Sequence, residues 1–439
     1  MSLHIVSLPH TVVSSDYSTC AFTGKVLRFS TMIHSISKDL QRKQLTPWVV
    51  HEYSNGQSNS DADFHHVVLS HDQLMTLTRR THKHHTYDQD IGNELLNKVF
   101  KQRLLQLLRT HVRNGDIVLH VFGPDGDVMN AVPHAKHVES GIGYEAGCKP
   151  VHSVCPYRIF ESVTWREYHT GGKQQTRGTN YQWVCPNYYD AHAWPLVEKP
   201  KCPDTVLYFG RVISTKGTAT VVEVARRMPH LRFLLVGQCN DPSEWHASTL
   251  PSNIAWHEPI NGPQRASLLG NVRCLLAPTS FIEPFCGSAS EALLCGTPVV
   301  STDFGVFGVK IRNGVNGWRC NTLADFVEAI ERVPTLDRAQ IRQIEKRQCD
   351  YPVVAKLYDS AFRQIMDLAK AGWYSEKSRA FALASPHDND DDDDRASKRI
   401  SWSDLPGTLD SAKLVRPDAP WKPPPTETCL PSPLRSEAT

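Results

Sequence analysis

The 439-residue chain has no apolar run long enough to cross a bilayer, which takes roughly 18–20 such residues. Its first ten residues, Met1 to His10, lack the cationic flank and apolar stretch of a secretory leader, so a cytoplasmic protein is expected. An excess of one charge is also missing. The 48 Lys and Arg balance 46 Asp and Glu, for a formal net charge of +2. Nothing global draws such a chain to nucleic acid, and any anion site must be built locally. The 12 cysteines form no Cys-x-x-Cys pair; the nearest are Cys148 with Cys155 and Cys286 with Cys295. That spacing suggests no zinc site. Thiols inside apolar runs, such as Cys239, Cys274 and Cys295, suit a reducing compartment. There is no internal repeat.

What is present is alternation. His4 to Leu8, Trp48 to Val50, Val67 to Leu69, Ile117 to Phe122 and Ala135 to Val138 read as strands. Val26, Phe29, Ile33 and Ile36 recur at helical spacing, and Asn93 to Val112 is an amphipathic helix stopped by Asn114-Gly115. Tyr157 to Tyr168 also reads as helical. In the second half, strands Val206 to Phe209, Phe233 to Val236, Cys274 to Ala277 and one starting at Val299 alternate with helices. Those helices are Lys216 to Met228, Ser288 to Cys295, Ala324 to Ile330, Arg338 to Arg347 and Val353 to Ala369. The pattern predicts an α/β protein with two parallel-sheet domains, joined near Pro195 to Pro203. From about Ser385 the chain turns acidic (Asp390 to Asp394) and then Pro-rich, which predicts a disordered tail.

Three motifs in the second half point to an anion site. In Phe209-Gly210-Arg211, followed by Ser214-Thr-Lys216-Gly217, two cations stand where a strand ends. Open α/β sheets bind ligands at that edge, and Arg and Lys both pair with phosphate. In Glu283-Pro-Phe285-Cys286-Gly287-Ser288-Ala-Ser-Glu291 a loop enters a helix. Free amides at Cys286 to Ser288 would face a phosphate. Glu291, one turn in, would accept bonds from vicinal ribose hydroxyls, or simply complement the helix dipole. Glu283, before the turn, would lie nearer a transferred sugar. Phe304-Gly305-Val-Phe-Gly308 and Asn313-Gly-Val-Asn-Gly317 are loops that would close over a ligand, or ordinary tight turns.

Together Gly210-Arg211, Lys216-Gly217, the two glutamates, Cys295-Gly-Thr-Pro-Val-Val300 and Asn313-Gly-Val-Asn-Gly317 resemble glycosyltransferase family 4, the group 1 retaining enzymes. Pro186-Asn187 is similar to that family's hinge motif, and the match is strongest from Tyr208 to Trp318. The resemblance implies a GT-B fold, two Rossmann-like domains whose parallel sheets face a central cleft. The expected bounds are an acceptor lobe at 1–198, a nucleotide-sugar lobe at 199–368, a helix crossing back at 369–384, and the tail at 385–439. It implies sugar transfer with retention from a UDP-, GDP- or ADP-sugar to a glycan, lipid or small-molecule hydroxyl, with no cofactor and no metal. Arg211 and Lys216 would hold the diphosphate with the turn Phe285 to Ser288, Glu291 the ribose and Glu283 the sugar. One departure stands out: the family usually has Gly where this chain has Cys286.

The first half is less specific. Thr23-Gly24-Lys25 opens a helix and would meet the diphosphate, or Thr23 only caps it. His137 and Glu139, on one face of a strand, are candidates to touch the donor sugar. Basic Arg28, Lys38, Arg42 and Lys43 leave peripheral membrane contact open. His82, His84 and His85 read as a solvated loop. Asp125-Gly-Asp127 offers a rival, the metal–diphosphate motif of the other major glycosyltransferase fold, though Pro124-Asp-Gly126 is also a turn sequence. A sugar phosphorylase, a nucleotide-sugar epimerase or a catalytically silent nucleotide-sugar-binding protein are the remaining alternatives.

Overall fold

A computed structural model of the chain describes residues 1–9, 21–58, 60–78, 93–121, 126–141, 144–145, 149–150, 155–171, 181–239, 250–260 and 262–368. The expected 369–384 helix, the tail, Asp125 and the histidines at 82, 84 and 85 lie outside these residues.

The first lobe contains strands β1 (Ser2–Val6), β2 (Val49–Ser54), β3 (Phe64–Val67), β4 (Ile117–Val121) and β5 (Lys136–Ser140). A short antiparallel pair, β6 (Tyr144–Glu145) and β7 (Lys149–Pro150), precedes β8 (Tyr157–Phe160) and β9 (Gln182–Val184). Its helices are α1 (Ala21–His34), α2 (Ser37–Arg42), α3 (His71–Thr78), α4 (Glu94–His111), α5 (Gly126–Ala131) and α6 (Val163–Gly171). The sheet order is β3-β2-β1-β4-β5-β8-β9, parallel throughout. Helix α4 shows why these elements form. Asn93 accepts the Leu96 amide at 3.0 Å as a cap, and Leu96, Phe100, Leu104 and Leu108 make one buried stripe at four-residue spacing.

The second lobe repeats the plan. Strands β10 (Cys202–Phe209), β11 (Arg232–Val236), β12 (Ile254–His257), β13 (Val272–Ala277), β14 (Val299–Thr302) and β15 (Gly317–Cys320) alternate with α7 (Thr218–Arg227), α8 (Gly262–Gly270), α9 (Gly287–Leu294) and α10 (Phe307–Lys310). Helices α11 (Leu323–Arg332), α12 (Arg338–Cys349) and α13 (Tyr351–Asp367) follow. The sheet order is β12-β11-β10-β13-β14-β15, again parallel. Each sheet thus reverses direction of growth beside its first strand, the doubly wound pattern.

Three expectations need correction. Tyr157 to Phe160 is a strand, paired with β5, and the helix starts only after Ser162, whose Oγ accepts the Trp165 amide at 3.0 Å. The run is buried at Tyr157, Ile159 and Phe160, and a short run so apolar carries no helix or strand period. The lobe boundary falls at Tyr188/Tyr189, before 198/199. Cys185 and Tyr188 pack with Leu3 and Phe29, whereas Tyr189 and Trp194 pack with Leu275 and Leu293. The return to the first lobe comes at α13, inside the segment expected to belong wholly to the second. Val354, Tyr358, Phe362 and Ile365 join Leu3, Phe29 and Trp48 in one core, and Trp48 Nε1 donates to Asp359 at 2.9 Å. The two crossings run side by side: Tyr189 N donates to Cys349 O at 2.8 Å, and Tyr351 N to Tyr189 O at 2.9 Å.

Candidate active site

A cavity of about 210 Å³ opens at the carboxyl ends of β10 and β13, the switch point of the second sheet. Phe209, Gly210, Arg211 and Lys216 line it from the first motif, Glu283 and Cys286 to Ser288 from the second, and Phe307 from the third. Motifs as much as 98 residues apart in sequence (307 − 209) are thus neighbours in space. A larger cavity of about 320 Å³, between α2 and α13, holds none of these residues; Asp39, Lys43, Lys356 and Arg363 give it mixed charge.

Local backbone places each group. Gly217 sits at φ +80°, and a Cβ there would stand 2.0 Å from Pro278 O. Only glycine lets the Ser214–Lys216 turn lie against the end of β13. Lys216 is thereby held 4.4 Å over the Phe281 ring and ion-paired with Glu283. Both side chains are largely buried, at 18% and 13% exposure, so each depends on the other for its charge balance. A phosphate entering here would compete for Lys216 and release Glu283.

The turn into α9 is strained. Cys286 is in the left-handed region, at φ 59° and ψ 80°, where a side chain costs about 1–2 kcal/mol. Glycine would adopt that conformation without this cost. The Ala289 and Ser290 amides both bond to Cys286 O, leaving the first amides of the helix, at Gly287 and Ser288, beside the cavity. Burial, reinforced by Glu283, pushes the Cys286 thiol up to about 11, so it stays protonated. Gly287 touches the hinge: Tyr189 OH donates to Gly287 O at 3.4 Å.

Phe285, expected among the donor-binding residues, turns into the core instead. It is 6% exposed, stacks on Tyr189 and lies 3.7 Å beneath Lys310 Nζ. Lys310 pairs with Glu345 at 3.3 Å, and Ser290 Oγ donates to the same carboxylate at 2.5 Å. This buried trio anchors the start of α9, and no motif reading singled it out.

Glu291 is 5% exposed and ion-paired with Arg265 of α8, whose guanidinium stacks 4.5 Å over the Phe209 ring. Burial pushes the Glu291 carboxyl up, and Arg265 and then Arg28 pull it back. Arg28 therefore does not belong with Lys38 and Arg42 of α2 and Lys43 at its end. It lies 5.8 Å over Tyr189, facing the second lobe. Arg265 escaped notice because α8, opening with Gly262-Pro263, carries no clear helix signal.

The other expectations divide. Thr23 and Gly24 fall in the first turn of α1, and their side chains lie outside the described residues. His137 and Glu139 do share a face but do not line the cavity. His137 Nε2 donates to Val132 O at 3.1 Å, so its Nδ1 accepts from His120 Nε2 at 3.0 Å. Burial lowers both pKa values, His120 to about 3, which keeps the pair neutral. Glu139 is fully buried opposite His120. Gly305 packs near Glu283, so the first Gly-rich turn borders the site. The second is a tight turn, closed by Asn316 between Arg312 N (2.7 Å) and Lys310 O (3.0 Å). Asp127 pairs with Lys101 at 2.8 Å. Among the described residues no cluster suited to a metal and no membrane-crossing helix is found.

Residues 203–335 match the family described as glycosyl transferases group 1. Two curated relatives are D-inositol 3-phosphate glycosyltransferases. That of Rhodococcus erythropolis is 37% identical over 82 residues, 18% of this chain and 19% of the relative. That of an Arthrobacter species is 29% identical over 142 residues, 28% of this chain and 34% of the relative. The matched stretch thus spans about a fifth to a third of those proteins. Among solved structures, sucrose-phosphate synthase of Thermosynechococcus elongatus aligns with TM-score 0.60 at 14% identity, covering 84% of this chain and 100% of its own. The pneumococcal O-GlcNAc transferase GtfA, in complex with UDP and GlcNAc, aligns with TM-score 0.56 at 11% identity, covering 83% and 99%. Residues 203–335 of the second lobe are thus similar to group 1 glycosyl transferases, within a two-lobed GT-B fold.

Proposed function

We propose that the chain transfers a sugar, with retention and without a metal, from a UDP-, GDP- or ADP-sugar to a hydroxyl of a glycan, lipid or small molecule. One observation carries this reading: Arg211, Lys216 and the first amides of α9 converge on one cavity, with Glu283 at its wall. Such a convergence of cations and helix-terminus donors suits a diphosphate. The UDP in the complex of GtfA with UDP and GlcNAc is consistent with it. In this account the first lobe receives the acceptor, and the protein works in the cytoplasm.

The chemistry follows from charge. As the bond from the anomeric carbon to the diphosphate oxygen breaks, negative charge grows on the leaving phosphate. Arg211, Lys216 and the Gly287 and Ser288 amides stabilise it. Glu283, released when Lys216 turns to phosphate, accepts a hydroxyl of the donor sugar and orients it. The acceptor oxygen bonds to the anomeric carbon on the face the diphosphate leaves. Its proton passes to a leaving phosphate oxygen, so no separate nucleophile is needed. Glu283→Ala should lower turnover by at least about a hundredfold, since it removes an interaction with the reacting sugar. Near-normal turnover would remove Glu283 from the reaction. The anomeric configuration of the product, read by NMR, tests retention, and unchanged turnover in excess EDTA tests metal independence.

A further inference from the structure

Glu291 is buried, yet the resemblance noted in the sequence gives it the ribose hydroxyls of the donor to hold. An ionised carboxylate cannot stay buried without a counter-charge. Arg265 provides one, pairing through Nη2 with Glu291 Oε2. Its guanidinium is held against Phe209, at the wall of the phosphate cavity. Arg265 Nε is buried and makes no hydrogen bond among the described residues. Among the described residues the guanidinium thus stacks on Phe209 and pairs with the Glu291 carboxylate. The second counter-charge comes from the other lobe. Arg28 projects from α1 over Tyr189, the residue at which the chain changes lobe, and its field reaches Glu291. A buried ion pair is weak support for stability, which makes a role in binding the better explanation for two arginines around one carboxylate.

We infer that Arg265 and Arg28 are positioning residues, one from each lobe, that hold Glu291 as the acceptor for the ribose hydroxyls of the donor. This rests on the proposed donor reading and adds the device that makes the ribose contact work. Arg265 holds the carboxylate by charge, as an ion pair at its Oε2 side. Arg28 makes that contact depend on the first lobe lying against the hinge. Among the described residues, the titratable groups coupled by charge to Glu291 are Arg265, Arg28, Tyr189 and Cys295. The two arginines are the cations among them, so their removal leaves burial and two neutral groups, all favouring the protonated carboxyl.

The test compares UDP, GDP and ADP with their 2′-deoxy counterparts by calorimetry on the full chain at pH 6 and pH 8. The wild type should prefer its ribonucleotide by about tenfold or more, the worth of a hydrogen bond to a charged group. Glu291→Gln should bring that ratio near one. Arg265→Met should lower the ratio as well, more at pH 6 than at pH 8, since loss of the counter-charge favours the protonated carboxyl. Arg265→Lys should keep most of the preference, and the Arg265→Met, Glu291→Gln double variant should match Glu291→Gln alone. Arg28→Met, a change on the half-exposed α1 side, should lower the ratio less, and it reports even if Arg265→Met does not fold. If Glu291→Gln removes the preference while Arg265→Met or, failing that, Arg28→Met retains it, the inference is overturned and the ribose role stands. A wild type indifferent to the 2′-hydroxyl, or a Glu291→Gln variant that keeps the preference, overturns the ribose role itself.

Discussion

At Cys286 a side chain occupies a backbone conformation suited to glycine, φ 59°. Cys286→Gly removes a cost of about 1–2 kcal/mol and adds unfolded-state entropy worth about 0.5–1 kcal/mol. A net gain of roughly 0.5–1 kcal/mol is expected from urea unfolding, and a loss would mean that the thiol packing outweighs the strain. The departure from the family pattern was visible in the sequence, but its meaning was not, because a torsion angle is no property of residue order. The same holds for Lys216 and Glu283. Their spacing placed both near the donor, whereas the direct pair between them depends on Gly217 bringing the turn against Pro278.

Helix α9 owes its position to groups far away in sequence. Lys310 and Glu345, at 5% and 2% exposure, brace its first turn through Phe285 and Ser290. Lys310→Met should destabilise the protein by about 3–5 kcal/mol, because Glu345 is left as an uncompensated buried charge. Adding Glu345→Leu should recover a substantial part of that loss. If the double variant is as unstable as the single, packing rather than charge is the cause. The elements that were legible, such as α4, β11 and α9, carry clear apolar periods or sharp stops. Those that were not are short or mixed: β9, β12, α8 and β15. In β12 the last three residues are exposed, so no buried stripe marks it.

In the whole molecule the parallel two-lobed plan was readable, since alternation of strands and helices dictates it. The path between the lobes was not. The pairing of Tyr189 with Cys349 and Tyr351, and the return of α13 to the first core, arise from contacts more than 150 residues apart. The first lobe also carries an acid-sensitive feature. His4, His51 and His66 stack in series across β1, β2 and β3, and His111 at the end of α4 meets His66 at a tilt. Burial first, then mutual repulsion, lowers His4 and His66 to about 4, and lowers His51 as well, against the pull of Asp116 on His4 and His51. A folded pKa below the unfolded 6.5 means that the unfolded chain binds more protons in between. Stability should therefore be complete above about pH 6.5 and fall as the pH drops toward 4, with His4 alone contributing roughly 3 kcal/mol. His4→Gln should flatten that decline in a pH series of melting temperatures; an unchanged slope would place the acid sensitivity elsewhere.

The central claim is that the cavity between β10 and β13 holds the diphosphate of a nucleotide-sugar donor. Calorimetric titration of UDP, GDP and ADP into the wild type and Lys216→Ala tests it most directly. At least one nucleotide should bind, and the variant should bind it about ten- to a hundredfold more weakly, as expected for loss of a charge-assisted phosphate contact. Equal affinity in both proteins, or no binding of any of the three, would contradict the account.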